Sequence, residues 1–574
     1  MPTATTTPRM QAASRWMAPV GLLLLALLAM GNVVWNTFTR DDLGVVVQGT
    51  LEKHWSGIFH AFGAAYWPPV NSGELYRPLT IGLMTIEWQL GGGDPLLFRI
   101  ATLVLYAAAT LAVWALLRRL VGPAAAWMGA AIFAVHPVHV EAVVEAVSQS
   151  ELIVAALLAR AVAIHLDANA GRREPVRAGA LESLCFAVAL FFKENALVLP
   201  ALLLAADLLV DRGGETFATR WRRWRAHYGA MVVIAAVFWF TRGLVLGSTG
   251  GTHTAEALRG GLVQRAWTML GVPAEWLRLF LWPARLQDEW SPLEWIPTMG
   301  WSLREVAGIL ALGSVLLALA LAWRRRPHLA FGILFMAIAL APVANLVIPT
   351  GVVIAERTLF LPSVGFVIAV AVLFQELPLA RWAGHPVHRR LGAAAFGTVL
   401  VLGMVRSALR LVDWRTPVIW SITALELAPL SWRTHMTYAS RLLDAGDTAD
   451  ARRQVKFALL LRSNDPVVVK LLADYGRETS GSCTGSIILY QEVLRVAPRR
   501  SDARGSLVAC LAYEGRYEEA RDAALEGIRL GLDEEFYKVV LARADQAIRS
   551  HTPPGQWRVH LAGSTVTDIG PIPQ

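Results

Sequence analysis

The sequence predicts an all-α membrane protein: a bundle of about eleven membrane-spanning helices followed by a shorter solenoid of paired helices. The 574 residues are 55% hydrophobic and only 17% charged, and the mean hydropathy is +0.45, which is too apolar for a soluble chain of this size. Long apolar segments recur up to about residue 410. Beyond Asp413 the composition becomes polar and periodic, which indicates a second kind of helical structure.

A membrane span requires about 20 mostly apolar residues. The spans predicted on this basis are 16–36, 97–117, 122–138, 148–167, 178–192, 196–211, 228–247, 304–323, 329–348, 359–378 and 391–410. With this count, the arginine-rich turns all lie on one side of the membrane, which the positive-inside rule assigns to the cytoplasm. The net charge of +9 therefore reflects membrane topology, and no nucleic-acid partner is expected.

Three further segments refine this topology. Arg9 and Arg15 precede the first apolar segment and no small-residue cleavage pattern follows it, which predicts a retained signal anchor; a cleaved signal peptide is the alternative. Residues 249–303 are interpreted as outer-face structure, because counting the apolar stretch 262–283 as a span would move Arg324–Arg326 outside. The motif Lys193-Glu194-Asn195 is predicted to form the charged tip of a tight outer helical hairpin.

The polar C-terminal part contains an internal repeat. Gly446, Gly481 and Gly515 are spaced by 35 and 34 residues, and the tetratricopeptide repeat has a period of 34. Five residues after each glycine stands a small residue, and a proline lies near each repeat end: Ala451, Ser486, Ala520, Pro429, Pro466 and Pro498. We expect about three repeats whose concave face binds a peptide, with a generic helical bundle as the alternative.

The predicted domains are a membrane domain over 1–412, a repeat domain over 413–550 and a tail over 551–574, with a polar first outer loop over about 37–96. Eleven spans and a cytoplasmic N-terminus place the repeats on the outer side, together with that loop. Of the three cysteines, Cys185 lies in a span and is expected to serve packing. Cys483 and Cys510 could meet across neighbouring repeats if this part of the chain is exported.

The first candidate site is the acidic pair Asp41-Asp42, which follows the first span directly. Charge at a membrane boundary is costly unless it is solvated, paired or functional. Transfer of a sugar from a lipid phosphate to a hydroxyl requires a carboxylate to accept the hydroxyl proton and cations to stabilise the departing phosphate. Asp41 or Asp42 could be that base. The alternative is a helix N-cap or a solvated loop charge.

The second candidate is the string His136-Pro137-Val138-His139-Val140-Glu141, where the third span reaches the outer face. His136 and His139, with Glu141 close by, could hold a divalent cation. Polar capping between two spans is the alternative interpretation. No cofactor is required by this pattern.

The third candidate is Arg357 at another outer boundary, since its planar guanidinium matches phosphate oxygens. Local pairing with Glu356 is the alternative. Lys193, Arg77 and Arg242 are further outer-boundary cations; each alone could be a snorkelling anchor, but several on one face indicate a site for an anionic donor.

These motifs occur in a fixed order along the chain: Asp41-Asp42, Tyr76-Arg77-Pro78-Leu79-Thr80, Gly91-Gly92-Gly93-Asp94-Pro95, His136 to Val143 (HPVHVEAV), Lys193-Glu194, and Glu356-Arg357 through Leu361-Pro362-Ser363-Val364-Gly365-Phe366. The order resembles the transmembrane-and-tetratricopeptide-repeat O-mannosyltransferases and their bacterial relatives, within the GT-C membrane glycosyltransferases. The resemblance covers nearly the whole chain. The HPVHVEAV and ERTLFLPSVGF strings carry most of its specificity.

The resemblance implies a polyprenyl-phosphate-linked sugar donor, presumed to be mannose by family, an inverting transfer and a Ser or Thr acceptor on an exported protein held by the repeats. It implies Asp41 as the first-loop catalytic acid, with Asp42 its neighbour, and a bacterial inner-membrane location with the first loop and repeats in the periplasm. Two departures matter. An arginine expected after HPVHVEAV is replaced by Gln149 or Ser150, and the repeat domain is short.

Two other functions fit parts of the sequence. A glycosyltransferase acting on a lipid or polysaccharide would carry the same motifs. A non-catalytic membrane-anchored repeat scaffold would explain the repeats but not the ordered outer charges. A transporter fits less well, because the charges gather at the outer boundary and not at mid-membrane.

Overall fold

A computed structural model describes residues 8–67, 75–210, 216–247, 258, 261–290, 293–297, 299–347, 349–376, 386–463, 465–480, 482–532, 534–555, 559–562 and 565–569. Helices dominate these residues, as the sequence predicts. A two-stranded hairpin in the tail is an addition that the sequence did not indicate.

The first part of the chain is a helical bundle. Its α-helices are α1 (Pro8–Met30), α2 (Gly57–His60), α3 (Pro78–Gly91), α4 (Pro95–Leu120), α5 (Pro123–Val135), α6 (Val140–Val144), α7 (Gln149–Asn169), α8 (Pro175–Phe192), α9 (Leu199–Leu209), α10 (Phe217–Leu246), α11 (Leu262–Leu270), α12 (Val272–Leu281), α13 (Leu303–Arg325), α14 (Pro327–Leu340), α15 (Phe360–Glu376) and α16 (Pro386–Val412). Short 3-10 or π turns lie at Gly31–Trp35, Leu43–Val47, Leu51–Lys53, Ala61–Gly63, Pro137–His139, Ala146–Ser148, Glu194–Val198, Ala341–Val343 and Glu356–Leu359.

Among the described residues, eight helices are long and apolar enough to cross a membrane, and a bent pair formed by α5 and Pro137–Val144 brings the total to nine. The described residues of all eleven predicted spans are mostly helical, which confirms a polytopic helical membrane protein. Two of the helices are short: α9 has 11 residues, and α14 with its terminal turn has 17. These two short helices pack against each other.

The core of the bundle is built from small residues at helix crossings. Gly129 of α5 approaches α15, and Gly332 of α14 packs so closely that a Cβ there would lie 2.7 Å from the backbone nitrogen of Ala369. Such close approach increases van der Waals contact between the helices. This contact matters in a membrane, because an apolar side chain gains little free energy by moving from lipid to a helix interface. Helix α1 also packs into this core, against α4, α5 and α16.

The first outer segment departs from the polar loop that the sequence predicted over 37–96. Its described residues form short helical turns and the apolar helix α3, which packs on α4 and α8. Buried apolar side chains such as Phe38, Val45 and Met84 hold it against the bundle. The described residues of the predicted first outer loop are therefore largely helical, and their apolar side chains pack on the bundle beside Asp41.

The second outer segment agrees with the prediction that 262–283 does not cross the membrane. The stretch is broken into α11 and α12, of 9 and 10 residues, each too short to span. Helix α12 packs on α13, where Gly308 lies directly under the backbone of Leu270.

The second part of the chain is a series of antiparallel helix pairs. Its elements are α17 (Pro417–Leu427), α18 (Trp432–Asp444), α19 (Thr448–Leu461), α20 (Pro466–Ser480), α21 (Thr484–Val496), α22 (Ser501–Tyr513), α23 (Tyr517–Arg529), α24 (Glu534–Arg549), β1 (Val559–Ala562) and β2 (Thr565–Ile569). The strands β1 and β2 pair antiparallel. Helix α24 packs on α23 and closes the row of pairs.

The helix pairs are consistent with the predicted repeats. Gly446 and Gly515 adopt φ of +79° and +77° between paired helices, a conformation that glycine accepts without strain; Gly481 lies outside the described residues. Ala451, Ser486 and Ala520 are buried, as expected for small residues at a helix crossing. Cys483 and Cys510 are joined by a disulfide with Cα atoms 5.2 Å apart, which confirms that they meet.

Candidate active site

The two members of the acidic pair have different surroundings. Asp42 is fully buried: one carboxylate oxygen accepts from Arg99 at 3.1 Å, and the other accepts from the backbone N–H of Val147 at 3.1 Å. Asp41 is 26% exposed, and its carboxylate lies 3.1 Å from the guanidinium of Arg357. The side chain of Asp42 makes no N-cap hydrogen bond, so the capping alternative does not account for this residue. The structure thus separates one structural carboxylate from one accessible carboxylate.

The backbone before the pair makes this separation. Arg40 has φ of +48°, in the left-handed region that side chains other than glycine adopt at a cost. Its guanidinium donates to Glu141 at 2.6 Å and to the backbone carbonyl of Asp288 at 3.2 Å. These contacts hold the turn, and the next two side chains consequently point in different directions, Asp42 inward and Asp41 toward Arg357.

Arg357 is surrounded by carboxylates. In addition to Asp41, it contacts Glu141 at 3.1 Å and Glu145 at 2.8 Å, and its backbone N–H donates to Glu141 at 2.9 Å. Glu141 and Glu145 lie four residues apart, at either end of the helical turn after HPVH, and so face the same side. Together with Arg40 these groups form a buried ion-pair cluster, which we call the Asp41 cluster: Arg40, Asp41, Glu141, Glu145 and Arg357.

The charges of the cluster keep Asp41 ionised. Burial tends to raise the pKa of Asp41, but Arg357 and Arg40 outweigh it, and the pKa lies below its ordinary value. For Asp42 the balance is opposite: burial dominates over Arg99 and raises the pKa. Burial also raises the pKa of Glu145 to about 8, against the effect of Arg357.

Two further predicted cations lie near Asp41, because the charges of Lys193 and Arg77 also lower its pKa. Lys193 donates to Glu151 at 2.6 Å. Arg77 makes a bidentate pair with Glu194, and its guanidinium stacks 5.2 Å from the ring of Tyr66. The hairpin tip and the first outer segment are thus tied together at the edge of the site.

The two histidines of the HPVH string are engaged within the protein. His136 contacts the backbone carbonyl of Phe280 at 3.0 Å, and His139 lies between the hydroxyls of Tyr106 at 3.0 Å and Ser363 at 2.9 Å. Both imidazoles are buried among aromatic rings. In the part of the chain that the structure describes, no group of three or more His, Cys, Asp or Glu residues is arranged to hold a metal ion. Polar connection between two helices is the interpretation that fits.

Two other expectations are resolved differently. Glu356 does not pair with Arg357; it is buried and accepts from the backbone N–H of Gln287. Arg242 is buried on α10 with its guanidinium 5.4 Å from the ring of Trp239, and its part in the site stays a prediction.

The segment that enters the repeats contacts the same end of the bundle as Asp41. The indole of Trp420 on α17 donates to the carboxylate of Asp288, whose backbone carbonyl accepts from Arg40. Nearby, the backbone N–H of Leu430 donates to Glu294 at 2.8 Å. These contacts place the start of the repeats beside the Asp41 cluster, whatever the number of membrane spans.

Sequence reasoning missed several members of this site: Arg40, Arg99, Glu145 and Asp288. The sequence offered one indication for Arg40, since an arginine directly before an acidic pair can form ion pairs near it. Glu145 had another, since it stands four residues after Glu141 on a helical turn. Arg99 and Asp288 had none, because only the fold brings Arg99 to Asp42 and Asp288 to Arg40.

Known proteins offer the following comparisons. The protein O-mannosyl-transferase F38B6.6 of Caenorhabditis elegans is 23% identical over 454 residues, which cover 77% of this chain and 62% of that protein. The human protein O-mannosyl-transferases TMTC4 and TMTC1 are each 24% identical, covering 69% and 81% of this chain and 59% and 58% of their own lengths. The chain spans about three fifths of the length of these curated relatives. No family model matches the chain.

Among solved structures, the cryo-EM structure of the mycobacterial arabinofuranosyltransferase AftD aligns with a TM-score of 0.38 and 18% identity, over 75% of this chain and 29% of that one. The curated relatives bear out the resemblance drawn from the ordered motifs. The chain is similar to the TMTC protein O-mannosyl-transferases over most of its length, at an identity near 23%.

Proposed function

We propose that this chain is an integral-membrane glycosyltransferase of the GT-C type, which transfers mannose from a polyprenyl-phosphate donor to a Ser or Thr hydroxyl of an exported protein. The observation that carries this proposal is the contrast within the acidic pair. Asp41 is accessible and kept ionised by surrounding cations, whereas Asp42 is closed off by Arg99 and Val147. The similarity to named O-mannosyl-transferases supports the reaction class.

In the proposed step, Asp41 accepts the proton of the acceptor hydroxyl as its oxygen attacks the anomeric carbon of the donor sugar. The bond between that carbon and the phosphate oxygen breaks, and polyprenyl phosphate leaves with the bonding electrons. The products are the glycoside, polyprenyl phosphate and a protonated Asp41. Attack from the face opposite the phosphate inverts the anomeric configuration.

Arg357 has a different role here from the phosphate clamp expected from the sequence. Three carboxylates already surround its guanidinium, so we assign it to orienting Asp41 and keeping it ionised. The donor phosphate is assigned to the outer cations Lys193 and Arg77, whose charges also act on Asp41. Each is held in place by a carboxylate partner, Glu151 and Glu194, which fixes its position before the donor arrives.

We place Asp41 and the repeats on the extracytoplasmic side, in a bacterial inner membrane facing the periplasm. Two observations support this orientation. The arginine-rich turns lie at the other ends of the helices, as the positive-inside rule requires of a cytoplasmic face. The disulfide between Cys483 and Cys510 in the repeats is a bond that persists in oxidising compartments.

The repeats are proposed to hold the acceptor. The chain is taken to divide near Val412, where α16 ends, with the helix pairs of 413–550 and a tail over 551–574 following it. Contact between α17 and Asp288 fixes the first of these helices beside Arg40, so a peptide bound along the pairs would be delivered toward the site.

The test is a transfer assay with purified protein in lipid nanodiscs. Labelled polyprenyl-phosphate-mannose is offered with three acceptors in parallel: Ser/Thr peptides, a polyprenyl or glycolipid acceptor, and a polysaccharide. We expect label on the peptide hydroxyls and loss of transfer in Asp41→Asn by about 10²- to 10⁴-fold.

The other outcomes discriminate among functions. Label on the lipid or polysaccharide alone would reassign the acceptor and leave the chemistry standing. A nucleotide-sugar donor is included as a control and is expected to give no product, because it has no polyprenyl chain to anchor it in the membrane. Absence of transfer from every polyprenyl-phosphate sugar, in protein that binds partners through its repeats, would favour a scaffold.

A further inference from the structure

The opposite end of the bundle carries a pocket that the transfer reaction does not use. Helix α7 has 21 residues, from Gln149 beside Asp42 to Asn169, so its two ends are about 30 Å apart. At the far end the chain turns through Gly171, with φ of +70°, into α8. A cavity of about 470 Å³ opens there, which we call the basic pocket; its lining includes Asn169, Gly171, Arg173, Glu174, Pro175 and Arg223.

The surroundings of the basic pocket are strongly positive. Residues 167–177 and 220–225 contain seven arginines and two acids. One of these acids, Asp167, is already held by Arg119 at 2.6 Å and by Arg172 at 2.9 Å. The other, Glu174, is largely exposed and accepts the backbone N–H of Arg177 at the start of α8. An anion entering the pocket therefore meets an excess of guanidinium groups.

The floor of the basic pocket is rigid. Asn169 donates to Asp207 at 2.8 Å and accepts from the indole of Trp224 at 2.9 Å. Asp207 also accepts from Tyr228 at 3.0 Å and contacts His165 at 3.0 Å. This buried network fixes the end of α7 relative to α10, so the arginines above it are presented from a preformed surface.

Apolar side chains continue from the pocket along the outside of the bundle. Helices α8 and α10 pack together, and their outward residues are exposed: Val176 by 68%, Trp221 by 47% and Val232 by 67%. Trp221 stacks on Tyr228, with ring centroids 5.7 Å apart, at the level where aromatic residues anchor to a membrane interface. A basic headgroup site therefore adjoins an apolar surface suited to acyl chains.

We infer that the basic pocket binds the phosphate headgroup of an anionic phospholipid, with the acyl chains lying along the exposed faces of α8 and α10. Arginine pairs bind phosphate oxygens in a bidentate manner, and basic pockets between membrane helices bind anionic headgroups. The adjoining apolar surface favours a lipid over a free phosphate ion, since only the lipid covers it. This site does not depend on the proposed transferase activity.

The test compares lipid retention by native mass spectrometry of the full chain, released from nanodiscs of phosphatidylcholine and phosphatidylglycerol. The double variant Arg173→Ala/Arg223→Ala is expected to retain phosphatidylglycerol about 30-fold more weakly, and Arg173→Ala alone about 5-fold, from about 1 kcal/mol for each arginine near the surface. Arg223 makes further contacts within the protein. The single variant Arg173→Ala leaves those contacts intact, so it separates a loss of lipid binding from a loss of folding. The matched control is Arg324→Ala/Arg325→Ala, which removes two exposed arginines at the end of α13 and is expected to have little effect.

Two results would overturn the inference. Equal loss of phosphatidylglycerol in the pocket variant and in the α13 control would show general attraction to the membrane surface. Full displacement of phosphatidylglycerol from the wild-type protein by millimolar inorganic phosphate would identify a site for a free anion and not for a lipid.

Discussion

Helix α7 has a group of buried charges at each end, and the two groups are organised differently. At the far end, Asp207 is closed by His165, Asn169 and Tyr228, and His165 also contacts Glu182 at 3.4 Å. At the near end, the Asp41 cluster holds five charged groups but leaves Asp41 26% exposed. The comparison teaches that buried charge alone does not mark a reactive site. A candidate reactive site is distinguished by an accessible carboxylate whose charged partners are themselves mostly buried.

The backbone supports the same distinction. The turn that presents Asp41 contains Arg40 at a positive φ, whereas the His165 group is built from regular helices. Strained backbone persists where surrounding contacts impose it, and here Glu141 and Asp288 supply those contacts. The strained turn at the near end orients a side chain, whereas the network at the far end holds regular helices in place.

The largest expected effect on stability is at Asp42. Asp42→Ala leaves Arg99 buried without its carboxylate, and we expect the free energy of unfolding to fall by about 3–5 kcal/mol. Asp41→Ala, the matched control, leaves Arg357 with Glu141 and Glu145 and should change stability far less. The free energy of unfolding of both variants is measured by denaturation in detergent, with the exposure of a buried cysteine as the readout. Equal losses for the two variants would break the distinction between them.

A smaller loss of stability is expected at the far end. His165→Ala removes a partner from both Asp207 and Glu182, and leaving such groups unsatisfied costs about 1–3 kcal/mol. The rate of transfer per folded molecule should stay unchanged, because His165 lies about 24 Å along α7 from Gln149, at the end of the helix away from the Asp41 cluster. Arg177→Ala, at an 85% exposed side chain, is the control and should stay within about 0.5 kcal/mol of wild type. A loss of turnover in folded His165→Ala protein would show that the two ends are coupled.

The smallest effect concerns the pH dependence of transfer. In the proposed transfer Asp41 acts in its deprotonated form, so its lowered pKa predicts transfer at pH values below the ordinary range of an aspartate. Arg40→Gln removes one of the charges that lower this pKa, and the acid limb of kcat/KM should therefore move to higher pH. Arg285→Gln removes an exposed outer arginine and serves as the control. An acid limb that moves in neither variant would argue against Asp41 as the titrating group.

Much of this account was available from the sequence. Apolar segments indicated the membrane helices. The 35- and 34-residue spacings of Gly446, Gly481 and Gly515, with a small residue five positions after each, indicated the repeats, because both signals are local and periodic. The choice between Asp41 and Asp42 was not available. It depends on Arg99 and Val147, which are 57 and 105 residues away in sequence and reach Asp42 only in the folded bundle.

The same reason explains where the structure adds to the sequence. The sequence predicted a polar first outer loop over about 37–96, and tertiary packing on α4 and α8 supports helix α3 within it. For His136 and His139 the sequence left metal binding and polar capping open, and Phe280 and Ser363, both distant in sequence, engage their ring nitrogens. Glu356 and Arg357 are neighbours that face different partners. Each of these contacts joins residues far apart in the chain.

The most direct test of the central claim is the transfer rate of Asp41→Asn and Asp42→Asn, measured with polyprenyl-phosphate-mannose and a Ser/Thr peptide at equal concentrations of folded protein. The account predicts that Asp41→Asn loses about 10²- to 10⁴-fold in rate while remaining folded. Asp42→Asn should lose stability first and keep most of its rate per folded molecule. Full activity in folded Asp41→Asn, or a loss confined to folded Asp42→Asn, would contradict the account.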